Sequence, residues 1–302
     1  MPGSVLRDPG LMKPYYAKLL AGLPESGIRV QTVLHDRATT LATVAAMPGL
    51  HIVDHGSLRH PRLLNTGIAY IYPFWNLDPW GIRALSSIAA MTFDASVVDA
   101  QAAAEFAARL RKRLVGPRIS RYPQAEAVAD LPRGHIAVFL QSEAHRSVAE
   151  TCHLSMRQML AALMARDDPR AILVKPHPRE ADPQTRIYLA RLAARDARVQ
   201  VVDVNIHDML ATAAVAVTIN SAVGIEAHLH RVPVVLCGQT DYHHAAVTVT
   251  DRRDMDAAIA RAEATDWPHD AFLQWYFAGQ CLNAGRPGLV QNFLAKVAFH
   301  LA

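Results

Sequence analysis

Through the second half of the chain, short apolar runs alternate with segments whose apolar residues recur at helical spacing. His135–Gln141 reads as a buried strand and 146–165 as an amphipathic helix. The alternation continues with a strand at Ala171–Lys175, a helix at 181–195 and a strand at Val199–Val204. A short helix at Asp208–Ala213, a strand at Val215–Ile219, a helix from Gly224 to His230 and a strand at Pro233–Cys237 complete it. Uninterrupted apolar strands of this kind suit a parallel sheet covered on both faces.

The first half is less regular. Ile28–Leu34, 50–53 and Gly67–Tyr72 read as strands with a helix at 37–46, which predicts a second parallel sheet. A strong helix covers 96–114, with Asp99 near its start and Arg109, Arg111, Lys112 and Arg113 in its last turn. Proline and glycine punctuate 116–134, which makes that segment the expected linker. The C-terminal stretch 270–300 reads as two helices around Asn283–Pro287. The expected organisation is an N-terminal α/β domain over 1–125, a C-terminal ligand-binding α/β domain over 133–270, and a helical segment over 271–302. Two Rossmann-type halves with a cleft between them follow from that reading.

Composition narrows the class. With 302 residues, 51% hydrophobic and 19% charged, the chain is a folded globular protein. A net charge of +4 favours phosphate-bearing ligands and is too small to argue for nucleic acid. Cys152, Cys237 and Cys281 are scattered, which suits a reducing compartment and supports neither a disulfide framework nor a zinc site. The start of the chain lacks a signal-peptide pattern, and no apolar run approaches the roughly 20 residues that span a bilayer. The expected location is cytoplasmic, and docking on a membrane surface is compatible with it.

Chemistry is expected beyond the carboxyl ends of the strands. Lys175-Pro176-His177-Pro178-Arg179 places an imidazole, stiffened by two prolines, between two cations, which suits a phosphate or carboxylate. In Asn220–Ala227 a strand gives way to a helix through Asn220 and Ser221, with Gly224 allowing close approach and Glu226 placed to accept from sugar hydroxyls. The bland alternatives are a solvated turn and an ordinary helix cap. Gln141 could touch a base or sugar, and Glu143 or His145 could act as an acid or base. In the first half, Trp75, Asn76 and Trp80 surround Asp78, an arrangement suited either to stacking a sugar ring or to filling an interface. No P-loop, GxGxxG or metal-ligand cluster is present in the sequence.

Lys175–Pro178, followed by Ser221–Ala227 and then Arg231-Val232-Pro233-Val234, resembles the bacterial capsule polysaccharide biosynthesis family, which includes Kdo transferases. The His-Pro and Ser elements are also similar to those of sialyltransferases and polysialyltransferases, which use CMP-sugars. The resemblance covers 135–245 well and the region around Asn76–Gly81 and Gln141 more loosely.

It implies a GT-B-like fold and a metal-independent glycosyltransferase. A sugar would pass from a CMP-activated donor to a capsular polysaccharide or glycolipid, without a further cofactor. Gln141, Lys175, His177, Pro178, Arg179, Asn220, Ser221, Gly224 and Glu226 would bind the donor nucleotide. Trp75, Asn76 and Trp80 would face the acceptor, with Asp78, or less favourably Glu143, as base or nucleophile. Peripheral association with the inner membrane or a capsule assembly complex fits the same picture. The competing readings are a non-catalytic glycan- or nucleotide-binding partner and a nucleotide-sugar epimerase.

Overall fold

The computed structural model describes residues 3–36, 38–142 and 151–301. Ten strands lie in the described residues, in chain order β1 (His51–Asp54), β2 (Leu63–Ile68), β3 (Phe74–Asp78), β4 (His135–Phe139), β5 (Ile172–Lys175), β6 (Val199–Val201), β7 (Ala213–Thr218), β8 (Val234–Leu236), β9 (Val247–Thr248) and β10 (Leu282–Asn283). The chain divides into two compact units, Met1–Ile88 with Phe277–Ala302, and Ala89–Tyr276. The division therefore falls elsewhere than at the proline-rich segment 116–134, which is internal to the second unit. The C-terminal segment joins the first unit instead of standing apart.

In the first unit the strand order is β1-β2-β3-β10. Only β1 and β2 are parallel; β3 pairs antiparallel with both β2 and β10. The expected all-parallel sheet fails here for a local reason. After Ile68 the chain reverses through Tyr70, which sits in the left-handed region at φ 61°, and β3 begins at Phe74. A connection that short can only make a hairpin, since parallel strands need a crossover of a dozen or more residues. Ile28–Leu34, expected as a strand, forms no ladder. Its apolar ends Ile28 and Leu34 are 39% and 62% exposed, so no face of it is buried to fix a register.

The helix Pro14–Glu25 begins on a proline, whose fixed φ suits the first helical position, and buries Tyr15, Leu19 and Leu23. Their four-residue spacing keeps them on one face. That face packs with Trp75, Leu77, Leu282, Leu289 and Phe293, the last two from the helix Leu289–Leu301. Trp75 lies flat on the Tyr15 ring, with centroids 4.2 Å apart and planes 6° from parallel.

The second unit carries the six-stranded sheet β6-β5-β4-β7-β8-β9, parallel throughout. From β4 the chain winds outward through β5 to β6, then returns to lay β7 against the other edge of β4 and winds outward again. This is the doubly wound order of a Rossmann fold, and it matches the expectation for this half. β4 and β5 are buried along their whole length. Helix Met156–Met164 starts on a full capping box, Ser155 with Gln158, and buries Met156, Met159, Leu160 and Leu163 against the sheet. Helix Ala100–Leu114 is capped by Asp99, as its sequence suggested. Its Arg111 does more than complement the dipole: it donates to the Leu229 carbonyl at 2.7 Å and to Asp270 at 2.5 Å.

Trp75 is expected to behave as a core residue. Trp75→Ala should cost about 3–5 kcal/mol in stability, read as a lower denaturation midpoint for the first unit.

Candidate functional site

The doubly wound order makes β4 and β7 neighbours whose outgoing connections leave in opposite directions. Their carboxyl ends form the switch point where open α/β sheets bind ligands. Gln141 stands at the end of β4 and Asn220 at the end of β7. The Gln141 Nε2 donates to Asn220 Oδ1 at 2.7 Å, and the Asn220 backbone N–H donates back to Gln141 Oε1 at 3.3 Å. Asn220 Nδ2 also donates to the Gln239 carbonyl at 3.4 Å. The two amides thus hold the strand ends together.

Beyond the ends of β4, β5 and β7 lies a pocket lined by Lys175, Pro176, His177 and Pro178 from one side and by Ser221, Ala222, Val223 and Glu226 from another. The two motifs singled out in the sequence meet here. Arg179 N–H donates to His177 Nδ1 at 3.1 Å, so the neutral ring carries its proton on Nε2. Lys175 is 4% exposed and its Nζ donates to Asp203 at 3.2 Å. Asp203 is itself almost wholly exposed, so water screens its hold on the lysine. Ser221 caps the helix Ala222–Ala227 by accepting from the Val223 N–H at 3.3 Å. Tyr242 Oη fixes this cap by donating to the Ser221 carbonyl at 2.6 Å. Gly224 serves that packing: a Cβ there would stand 2.4 Å from Tyr242 Oη.

The third wall comes from the segment expected to be only a linker. Ser120, Arg121, Tyr122 and Gln124 all line the pocket. The Tyr122 ring meets His177 edge-on at 5.0 Å, and the Arg179 guanidinium lies 4.8 Å from its centroid. The segment is pinned to the start of helix Ile206–Thr212. Arg118 donates to both Asp208 oxygens at 3.0 and 2.6 Å, and His207 Nε2 reaches the Ile119 carbonyl at 3.0 Å. Asn205 Nδ2 donates to the Arg118 and Ala125 carbonyls, each at 3.3 Å. The signal that could have found this wall is length. Loops of more than about 12–15 residues without structure of their own are usually functional.

Glu226 is the unusual group. It is 3% exposed, and burial pushes its carboxyl up to about 7, against the opposing pull of a Ser120 hydrogen bond and the Arg121 charge. A ligand that donates hydroxyls to it would restore the charged form.

The first unit receives the remaining candidates differently. Asp78 is 2% exposed. Its Oδ1 accepts from the N–H groups of Trp80 at 2.8 Å and Gly81 at 3.1 Å, and its Oδ2 from the N–H and Oγ of Ser87 at 2.9 and 2.6 Å. Four donors make it the anchor of the loop after β3. Trp75 and Asn76, at 1% and 0% exposure, belong to the core. Trp80 is 37% exposed, with the Arg59 guanidinium 4.4 Å from its ring centroid, so it alone of the three offers a surface. Glu143 and His145 lie outside the described residues.

Among the described residues, no three His, Cys, Asp or Glu side chains gather to hold a metal ion, and no helix is long and apolar enough to cross a membrane. A larger, open groove in the first unit runs past Lys18, Glu25 and Arg286.

The fold is α/β of the GT-B type, with a candidate pocket at the edge of its Rossmann-type sheet. The family described as "Capsule polysaccharide biosynthesis protein" matches residues 100–285, and the chain belongs to that family. Among solved structures, the chain is similar to the Thermosulfurimonas dismutans KpsC beta Kdo 2,7 transferase, with 14% identity, 96% of each chain covered and a TM-score of 0.55. It also matches the beta Kdo 2,4 transferase of the same KpsC, with 18% identity, 70% of each chain covered and a TM-score of 0.47. No curated protein sequence matches.

Glu226 gives the site a pH signature. The unfolded chain ionises this carboxyl near 4.5 and the folded chain near 7. The neutral form's contribution is therefore complete below 4.5 and lost as pH rises through 7. Glu226→Gln should gain stability relative to the parent by roughly 3 kcal/mol between about pH 4 and pH 8, measured as the difference in denaturation free energy at the two pH values.

Proposed function

We propose that the protein is a glycosyltransferase of capsule biosynthesis that takes a Kdo- or sialic-acid-like sugar from a CMP-activated donor. The observation that carries this reading is the meeting of His177, Lys175, Ser221 and Glu226 in one pocket at the carboxyl edge of the sheet. Membership of the capsule family and a fold shared with a structure described as a Kdo transferase support it.

Bond cleavage at the donor leaves a nucleotide phosphate whose growing charge needs donors already aimed at it. The His177 Nε2–H, the Lys175 ammonium and the Ser221 hydroxyl supply them, so no metal ion is required in this scheme. Glu226 takes the ribose hydroxyls, and Arg121 and Tyr122 close the pocket over the nucleotide. Asp78 is withdrawn as the base because its oxygens already hold the loop after β3. Glu143, two residues beyond Gln141, remains the carboxylate proposed to act at the anomeric carbon.

The acceptor is a capsular polysaccharide or its glycolipid anchor. Cys152, Cys237 and Cys281 form no disulfide among the described residues, which suits a cytoplasmic setting with peripheral docking at the inner membrane beside the assembly machinery.

A thermal-shift series with CMP, UMP, UDP and GDP tests the donor class. CMP should stabilise most, by about 2–3 kcal/mol at a hundredfold excess over Kd, and His177→Ala should abolish the shift. Equal response to all four, or none, would sink the CMP reading. Donor breakdown to a new nucleotide-sugar without any acceptor would point to epimerisation.

A further inference from the structure

The bond from the Arg179 N–H to His177 Nδ1 joins two near neighbours on an exposed turn. It selects the tautomer that carries Nε2–H. A contact at Nδ1 does not fix the plane of the ring, and so does not fix where Nε2–H points. A second contact comes from outside the turn. The Tyr122 ring lies 5.0 Å from the imidazole, centroid to centroid, with the planes 79° apart. Aromatic rings prefer this edge-to-face arrangement. Arg179 closes the circuit. Its backbone holds Nδ1, while its guanidinium lies 4.8 Å from the Tyr122 centroid, within cation–π range. Arg121 stands 5.6 Å from the same centroid.

Tyr122 can serve as a fixed stop because its backbone is held. Gln124 Nε2 donates to the Tyr122 carbonyl at 3.2 Å, and Gln124 Oε1 accepts from the Ile206 N–H at 3.3 Å. Asn205 bonds the carbonyls of Arg118 and Ala125, on either side of Tyr122. The Arg118–Asp208 ion pair fastens the same segment. The start of helix Ile206–Thr212 therefore sets where the Tyr122 ring stands. An ordinary surface stack of tyrosine on arginine forms on loops without such anchoring. Here the anchored ring also lines the same pocket as the imidazole it meets. Among the described residues, the Tyr122 side chain makes its contacts through the ring.

We infer that Tyr122 is a positioning residue whose ring, set by the start of helix Ile206–Thr212 and clamped by Arg179, aims His177 Nε2–H at the donor phosphate; this rests on the nucleotide-donor reading above. Helix start, wall and imidazole act as one unit. Tyr122 favours the phosphate without touching it, because a charge-assisted hydrogen bond weakens steeply when its donor is misdirected.

Isothermal titration of the full chain with CMP and with cytidine separates the phosphate from the rest of the nucleotide. The parent should bind CMP more tightly than cytidine, and His177→Ala should erase that preference. Tyr122→Leu should weaken CMP by about five- to tenfold and leave cytidine within about threefold of the parent. Tyr122→Phe keeps the ring and should bind CMP within about twofold of the parent. If Tyr122 acts through His177, the two losses do not add. His177→Ala combined with Tyr122→Leu should then show the same CMP-to-cytidine ratio as His177→Ala alone. Additive losses overturn the inference alone. Equal weakening of cytidine and CMP by Tyr122→Leu also overturns it, since Tyr122 would then be a wall of the nucleoside pocket, and so does CMP affinity unchanged from the parent. A parent protein with no preference for CMP over cytidine overturns the donor reading and this inference together.

Discussion

The adjacency of β4 and β7 is the constraint on which the pocket at the sheet edge depends. Connections leave these two strands in opposite directions, so the space beyond their carboxyl ends stays open while their last polar groups need partners. Gln141 and Asn220 meet that need with each other. Leaving one of these amides unpaired would expose the other to the cost of an unsatisfied buried group. Their pairing sets the spacing between the ends of β4 and β7, and the Ser221 cap is positioned by the residue before it. His177 arrives from β5, one strand further out, and is steered by Pro176, Pro178 and the Arg179 N–H.

The pocket that results is unequal in charge. Lys175, His177 and Arg121 favour an anion, while Glu226 is placed deep enough that its own charge is resisted by burial. Such a site is selective by chemistry more than by shape. A phosphate there would find cationic donors, and a hydroxyl-bearing group would find a carboxyl whose ionisation it would support. The wall formed by Ser120–Gln124 completes the arrangement and depends on helix Ile206–Thr212 for its position. Substitutions at Asn205 or Asp208 would therefore reach the pocket without touching a ligand.

In the first unit, chemistry and packing are divided within a few residues of one another. Trp75 and Asn76 are spent on the core and Asp78 on its loop. At the end of β1, Asp54 pairs with His55 and with Lys13. The helix Leu289–Leu301 closes this core from the far end of the sequence, so both termini of the chain contribute to one folding unit.

Much of the second unit was legible in the sequence because its strands are buried on both faces. Runs such as Ile136–Phe139 and Ile172–Val174 leave little choice of element, and the polar residues that follow each strand mark its carboxyl end. His177, Ser221 and Glu226 could be named on that ground alone. The first unit was less legible because a hairpin turn and a crossover look alike until pairing is known. Asp78 and Trp75 carry side chains that suit either a site or a core, and only burial distinguishes the two. Ser120–Gln124 has no periodicity, so its place over the sheet edge depends on distant partners at Asn205, His207 and Glu226. The sequence by itself determined the parallel sheet and the two polar turns at its carboxyl edge, because strand periodicity and turn chemistry are local. The tertiary structure decided which polar residues share the pocket, which are spent on the fold and where the units divide, because those outcomes depend on contacts between residues far apart in the chain.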